Sequence, residues 1–461
     1  MVNAAAQSAQ ARIRFGLGAR PGDKPLDDPR GALKAQLQGP DPAQASGAFD
    51  GLPTGLDAMD ALHASRLALK ARRLAGLPTQ GPDINRPLYL NDVTAQLGWA
   101  STTDADFRER LVWFWTNHFT VSILQGNTAG LVGPMIREAI RPHVNGNFTD
   151  MVLAVERHPA MLQYLMNAES VGPHSRVGLA TGRGLNENLG RECMELHTVG
   201  LKAGYSQADV TAMANILTGW SDAGSADGGS PTGFKYRPMT HEPGPQTVLG
   251  RQFDAGEQAG GEQAGIDALT YLSRYPTTYQ LLARKLVTHF VADDPPPEAV
   301  ATIAGVLQET GGDLAAAAAA LVDLPQAWVP LTKLKTPLEF MVSVLRAAPP
   351  PESPPAAAKP PAYVAVMNQL GQPVWAAPLP NGWSDQAATW AGSDAMMARI
   401  DWAYSYAARF AHPAASTVPA DIAQAALGKL LTPNTAQAIA GAATRRDALT
   451  LLFASPEFQR R

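Results

Sequence analysis

Along most of the chain apolar residues recur at i, i+3 and i+4, and strict alternation is rare. That spacing lines one face of a helix. It predicts helices over 108–122, 148–167, 186–198, 206–220, 279–291, 297–310, 313–322 and 338–347, and again over 393–410, 419–431 and 434–455. Ser206 with Asp209 three residues on reads as a capping box, Asp standing for the usual Glu or Gln. Gly219 suits the end of that helix. No run reads as a set of alternating strands. The expected fold class is all-α: a large helical bundle-like fold with long Pro/Gly-rich loops.

Two stretches interrupt the pattern. Residues 221–233 are rich in Gly, Ser and Asp, and 347–362 (AAPPPESPPAAAKPPA) are Pro-rich and expected to be extended. The second divides a main helical body, 1–348, from a C-terminal helical region, 363–461, packed on it, with 349–362 as linker or loop. Between them and the last helices, Asn381-Gly382-Trp383 reads as a turn-like aromatic loop. There is no internal repeat.

Composition narrows the function classes. The 461 residues are 45% apolar and 17% charged, enough to bury a large core. A net charge of −4 without a basic run argues against nucleic acid as the main partner. The one cysteine, Cys193, excludes a disulfide within the chain and a cysteine-based metal cluster. The longest apolar run, 314–322, is too short to span a bilayer, so no integral membrane segment is expected and the chain should be soluble. Residues 1–11 carry neither a basic nor an apolar region of the kind a signal peptide needs. The expected location is the cytoplasm, or export together with a partner.

Two segments concentrate candidate chemistry. Residues 186–197 (NENLGRECMELH) hold Glu187, Glu192, Glu195, Arg191, Asn188 and His197 within one predicted helix. On a regular helix the charged groups share a face, with Leu189, Gly190, Cys193, Leu196 and His197 opposite. One reading is a solvated amphipathic helix whose Glu187–Arg191 and Arg191–Glu195 pairs add roughly 0.2–0.5 kcal/mol each. The other is a cavity wall, where Glu192 and Glu195 do acid/base work or hold a divalent cation and Arg191 sets their charge states. His197 and Cys193 read as core residues. The second segment, 114–119 (FWTNHF), is aromatic around the whole helix and so buried. Asn117 and His118 then need internal partners. They either tie loops together, or His118 serves as general acid/base or ligand.

Weaker candidates are His241-Glu242, beyond the flexible loop, and Tyr205 and Trp220, which flank one helix as core or as sugar-stacking platforms. Arg14-Phe15-Gly16-Leu17-Gly18 lacks the dinucleotide pattern. No phosphate-binding P-loop, His-Glu-x-x-His or Gly-x-Ser-x-Gly motif is present.

The segments at 14–18, 114–122, 140–165, 186–200, 204–220, 241–250 and 335–347 resemble, in order, the bacterial domain-of-unknown-function family numbered 1800. Gly190 and Cys193 stand where members often carry larger or apolar residues. The resemblance implies a helical protein. Members' genes often sit beside those of a sulfatase-like family exported with a twin-arginine signal. That implies an exported or envelope role on a polysaccharide or sulfated substrate.

The combined expectation is a hydrolase or lyase acting on a polysaccharide by carboxylate/His acid-base chemistry. Glu192, Glu195, His118 and Arg191 would be catalytic. Asn117, Asn188, Glu187, Trp220, Tyr205 and His241 would bind substrate. Hydrolysis by two carboxylates sets them about 5–5.5 Å or 6.5–9.5 Å apart across the bond. Neighbours on one helix face fit that poorly, so Asp209 or Glu242 is a candidate for the second. No cofactor is required by the sequence; a divalent metal on His118, Glu192 and Glu195 is one option. The alternative is a non-catalytic helical scaffold or escort for an exported sulfatase-like protein.

Overall fold

Helices joined by loops account for the described residues of the computed structural model, which are 4–78, 83–125, 127–254, 260–350, 362–410 and 418–461. The fold is all-α. Among those residues the sheets are two short antiparallel pairs. Trp220–Asp222 pairs with Phe234–Tyr236 and turns the Gly-rich 221–233 stretch into a hairpin, and Gln246–Val248 pairs with Arg251–Phe253. Strands of three residues are too short for alternation to show in sequence.

Where predicted helices break, a local residue breaks them. The 148–167 stretch is two helices, Phe148–Glu156 and Pro159–Tyr164. Pro159 forces His158 into extended backbone, and the His158 ring then accepts from the Ala160 N–H and caps the second helix. The 434–455 stretch divides at Gly441 into Pro433–Ala440 and Arg445–Ala454, the latter capped by Thr444. The 186–198 stretch starts as α-helix, Asn188–Glu192, and continues as a π-helical turn, Cys193–His197. The capping box at Ser206 and Asp209 forms as its spacing predicts.

Buried apolar side chains gather into two clusters. The larger is built on Asp106–His118, Gln207–Leu217, Pro276–Phe290, Pro297–Glu309 and Leu314–Asp323. The smaller packs Ser393–Ala407, Pro419–Leu427 and Arg445–Ala454 against Asn85–Thr102 and Pro337–Ala347. It therefore draws on both sides of the Pro-rich stretch, of which 351–361 lie outside the described residues. The chain's last residues run along the seam. Lys335 N–H donates to the Gln459 carbonyl (2.9 Å), Arg461 N–H donates to Lys333 (2.8 Å), and the Arg461 side chain is fully buried. No described helix is long and apolar enough to cross a membrane.

Gly190 lets its helix pack closely on Gln207–Leu217. A Cβ there would lie 2.7 Å from the Ala214 nitrogen, so the two helices touch backbone to backbone. Gly190→Ala is expected to destabilise the protein by about 1–3 kcal/mol through overpacking. Gly98, on the Asn85–Thr102 helix, has nothing within 4 Å of the corresponding position. Gly98→Ala is expected to stabilise by about 0.4–1 kcal/mol. Thermal melts of the two variants side by side check both signs.

Candidate functional site

Arg191 is committed at one end of the polar helix. It pairs with Glu187 at 2.9 Å and donates to Gln207 at 3.1 Å. Glu187 also accepts from Thr211 (2.6 Å) and Gln207 (2.8 Å), and the Thr211 bond leads in holding its carboxyl below the usual range. The expected Arg191–Glu195 pair is absent among the described residues, because Glu187 takes the guanidinium. Asn188 is exposed at the helix start.

One turn on, the pattern changes. Glu192 is half-buried and makes no hydrogen bond or ion pair among the described residues. Burial pushes its carboxyl up and Glu195 adds to this, against His197 and Arg191. Glu195 has one neutral neighbour, the Tyr205 hydroxyl, at 3.5 Å. Burial, with Glu195 second, raises the Tyr205 phenol. The Tyr164 hydroxyl is buried without a hydrogen-bond partner among the described residues, and burial together with Glu192 pushes it up to about 12. The site is thus two carboxylates and two phenols with no cation bonded to either carboxylate among the described residues. It starts where the α-helix gives way to the π turn, a feature frequent at functional sites.

His118 lies elsewhere. Its Nε2 donates to the His197 carbonyl (3.1 Å), and its Nδ1 accepts from the Lys285 ammonium (3.1 Å), which also reaches the Leu196 carbonyl (3.3 Å). Burial, then Lys285 and His197, hold the imidazole well below its usual range. Burial brings Lys285 itself down to about 8. Both ring nitrogens are therefore engaged inside the protein, and no hydrogen bond joins His118 to Glu192 or Glu195. His197 is buried as expected, though not among apolar groups alone: its Nδ1 lies 2.6 Å from the buried Glu156 carboxylate. Cys193 is a buried core thiol, pushed up by burial and Glu156.

Asn117 turns to the opposite side, toward the seam. Its side chain donates to the Trp383 carbonyl (2.9 Å) and accepts from the Trp383 N–H (2.8 Å). Gly382 (φ 78°) permits the approach, since a Cβ there would lie 2.6 Å from the Asn117 carbonyl oxygen. The two motifs FWTNHF and NGW thus meet, and Asn117 is a loop tie. Asn117→Ala is expected to cost about 1–3 kcal/mol, because two Trp383 backbone groups lose their partners. Hydrogen exchange should show the 379–385 loop opening more readily. Beneath this loop lies a partly open cavity of about 110 Å³ bordered by His289, Glu339 and Asp385.

The remaining candidates are internal. Trp220 is fully buried between Arg157 and Phe234, with Gly265 close against its ring, so it offers no stacking face. His241 is buried and its Nδ1 donates to the Thr218 carbonyl (2.8 Å). Asp209 serves the Ser206 capping box and accepts from the Leu249 N–H (2.7 Å), and Glu242 accepts from His174 through backbone (2.8 Å) and ring (2.5 Å). Neither is a free second carboxylate. Among the described residues no three His, Cys, Asp or Glu side chains are grouped to hold a metal ion, and His118, Glu192 and Glu195 form no such set.

This is an all-α protein with two carboxylates on one helix, phenols beside them from neighbouring segments, and a separate cavity between two cores. The family described as protein of unknown function (DUF1800) matches residues 10–460, and the chain belongs to it. No curated protein and no solved structure matches.

Proposed function

We propose that the protein is an acid–base enzyme on a polysaccharide, and a lyase rather than a hydrolase. The observation that carries the reading is Glu192: a half-buried carboxyl, raised by burial and Glu195, with no hydrogen bond or ion pair among the described residues. Leaving such a group without a partner costs stability, and active sites are where that cost recurs. Hydrolysis between flanking carboxylates needs a second one across the bond. Asp209 and Glu242 are both taken by structural bonds. Two groups on one face suit elimination instead. Glu195 takes the proton beside a uronate carboxylate, the electron pair forms a carbon–carbon double bond, and the glycosidic oxygen leaves with the proton from Glu192. Tyr205 steadies Glu195 from its free side. Catalysis of this kind by a positioned carboxyl contributes about 10²–10⁴-fold.

The test is incubation with uronate-containing polysaccharides, sulfated and unsulfated, reading the ultraviolet absorbance of the new double bond. Activity that falls in Tyr205→Phe and Glu192→Gln supports the reading. Cleavage without a double bond would replace the lyase by a hydrolase.

A second reading, a scaffold or escort for an exported sulfatase-like protein, draws on the internal engagement of Asn117, His118, His241 and Trp220. Absence of turnover on every substrate, with a sulfatase-like protein co-purifying, would favour it.

A further inference from the structure

The seam cavity carries chemistry that the carboxylate face does not use. Its aromatic walls are Trp113, Trp375 and Trp383. Two of these rings are braced: Trp375 by Tyr89 (5.8 Å between centroids) and Trp383 by Trp390 (5.9 Å). Trp375 also sits at φ 51°, a left-handed conformation costly for a bulky residue. Its carbonyl is fixed by the Ile123 N–H at 2.8 Å.

Several polar atoms on the wall are unspent. The Gln96 side chain is 4% exposed and makes no hydrogen bond among the described residues, and its Nε2 is fully buried. A buried amide left so is unfavourable unless a ligand satisfies it. Gln372 spends its Oε1 on the Leu338 N–H (2.9 Å) and leaves its Nε2 without a partner among the described residues. Asp385 spends Oδ1 on His289 (2.7 Å) and leaves Oδ2 without a partner among the described residues. Behind the wall Arg110 and Arg461 face Glu339, with Lys335 and Arg399 also near it, Lys333 faces Asp293, and Asp385 is held as an anion by His289, Arg461 and Lys333 although burial opposes it.

We propose that this cavity binds one neutral pyranose ring. Tryptophan faces take the apolar C–H side of a sugar, while its hydroxyls both donate and accept, as a free amide, a second N–H and a carboxylate oxygen require. At about 110 Å³ the enclosed space is below the about 150 Å³ that holds benzene, so a pyranose ring enters with one face and stands partly in the open mouth. The carboxylates on the wall, Glu339 and Asp385, disfavour an anion and are already countered by the cations behind them, which disfavours a cation. No residue of the Glu192 face lines the cavity, so the inference stands whether or not the lyase reading does.

The test is titration of the intact protein with glucose, galactose, mannose and N-acetylglucosamine, read by tryptophan fluorescence and saturation-transfer NMR. Tetramethylammonium and glucuronate are the charged comparators. Saturable binding of a neutral sugar is expected, weakened about 3–10-fold in Gln96→Leu and unchanged in Glu192→Gln. Gln96→Leu should be no less stable than the parent, because an unpaired buried amide is removed. If that variant does not fold, Trp383→Leu carries the test, since Asn117 holds the Trp383 backbone and not its ring. Absence of binding by all four sugars, tighter binding of either charged comparator, or undiminished binding in the folded variant would overturn the proposal.

Discussion

Glu339→Ala is expected to cost about 3–5 kcal/mol, the penalty for breaking a buried charge group by removing one member. The Glu339 carboxylate lies 2.8 Å from Arg110 and 2.7 Å from Arg461, and it accepts from the Thr336 N–H at 2.8 Å as the third residue of a capping box. All three charged side chains are buried. Removing the carboxylate leaves two guanidiniums without their nearest anion and a helix without its box. Against a total stability of about 5–15 kcal/mol this is a large fraction. Urea denaturation of parent and variant reads it directly. The pH dependence follows in sign. Burial raises the Glu339 carboxyl, but Arg110 and Arg461 outweigh burial and hold it below the ordinary glutamate range. Its contribution is therefore fully present above the unfolded-state pKa and is lost as pH falls through the folded one. The variant should show a shallower acid-side loss than the parent.

Glu192→Gln is expected to behave in the opposite way: a fall in turnover of about 10²–10⁴-fold with no loss of stability. The carboxyl makes no bond that glutamine would break. Burial and Glu195 raise its folded pKa, so folding is opposed when it is ionised. That opposition is present above the folded pKa and vanishes as pH falls below the unfolded one. Thermal melts should place Glu192→Gln at or above the parent near about pH 7, with the difference closing by about pH 4. A structural glutamate would give the reverse: a destabilised variant at neutral pH.

Much of this was legible in sequence, and the gaps have physical causes. The 3.6-residue period predicts most helices of the two cores, though not Asn85–Thr102 or Gly261–Ser273, and the aromatic girdle of 114–119 puts His118 in the interior, where it lies at 4% exposure. The wheel drawn for 186–197 grouped Glu187, Arg191, Glu192 and Glu195 on one face. It could not show that Glu187 would win Arg191, because the deciding partners, Gln207 and Thr211, come from the next helix. Nor could it show the π turn at 193–197, which departs from the period the wheel assumes. His118 was read toward the carboxylates, yet its partner is Lys285, which is 167 residues away and carries no local signal. Asn117 and Asn381-Gly382-Trp383 were each visible as unusual. Their meeting depends on the packing of the two cores. Tyr164 and Gln96 were missed altogether, because an unpartnered buried polar atom is a property of the fold and not of a motif.

The most direct test of the central claim is the titration of Glu192 itself, by NMR of carboxyl-labelled glutamate in the intact protein, with Glu192→Gln to assign the resonance. The account predicts a midpoint above the ordinary glutamate value, lowered when Glu195→Gln removes the neighbouring charge. A midpoint at or below that value would mean that Glu192 is an ordinary solvated carboxylate, and the acid–base site would not stand.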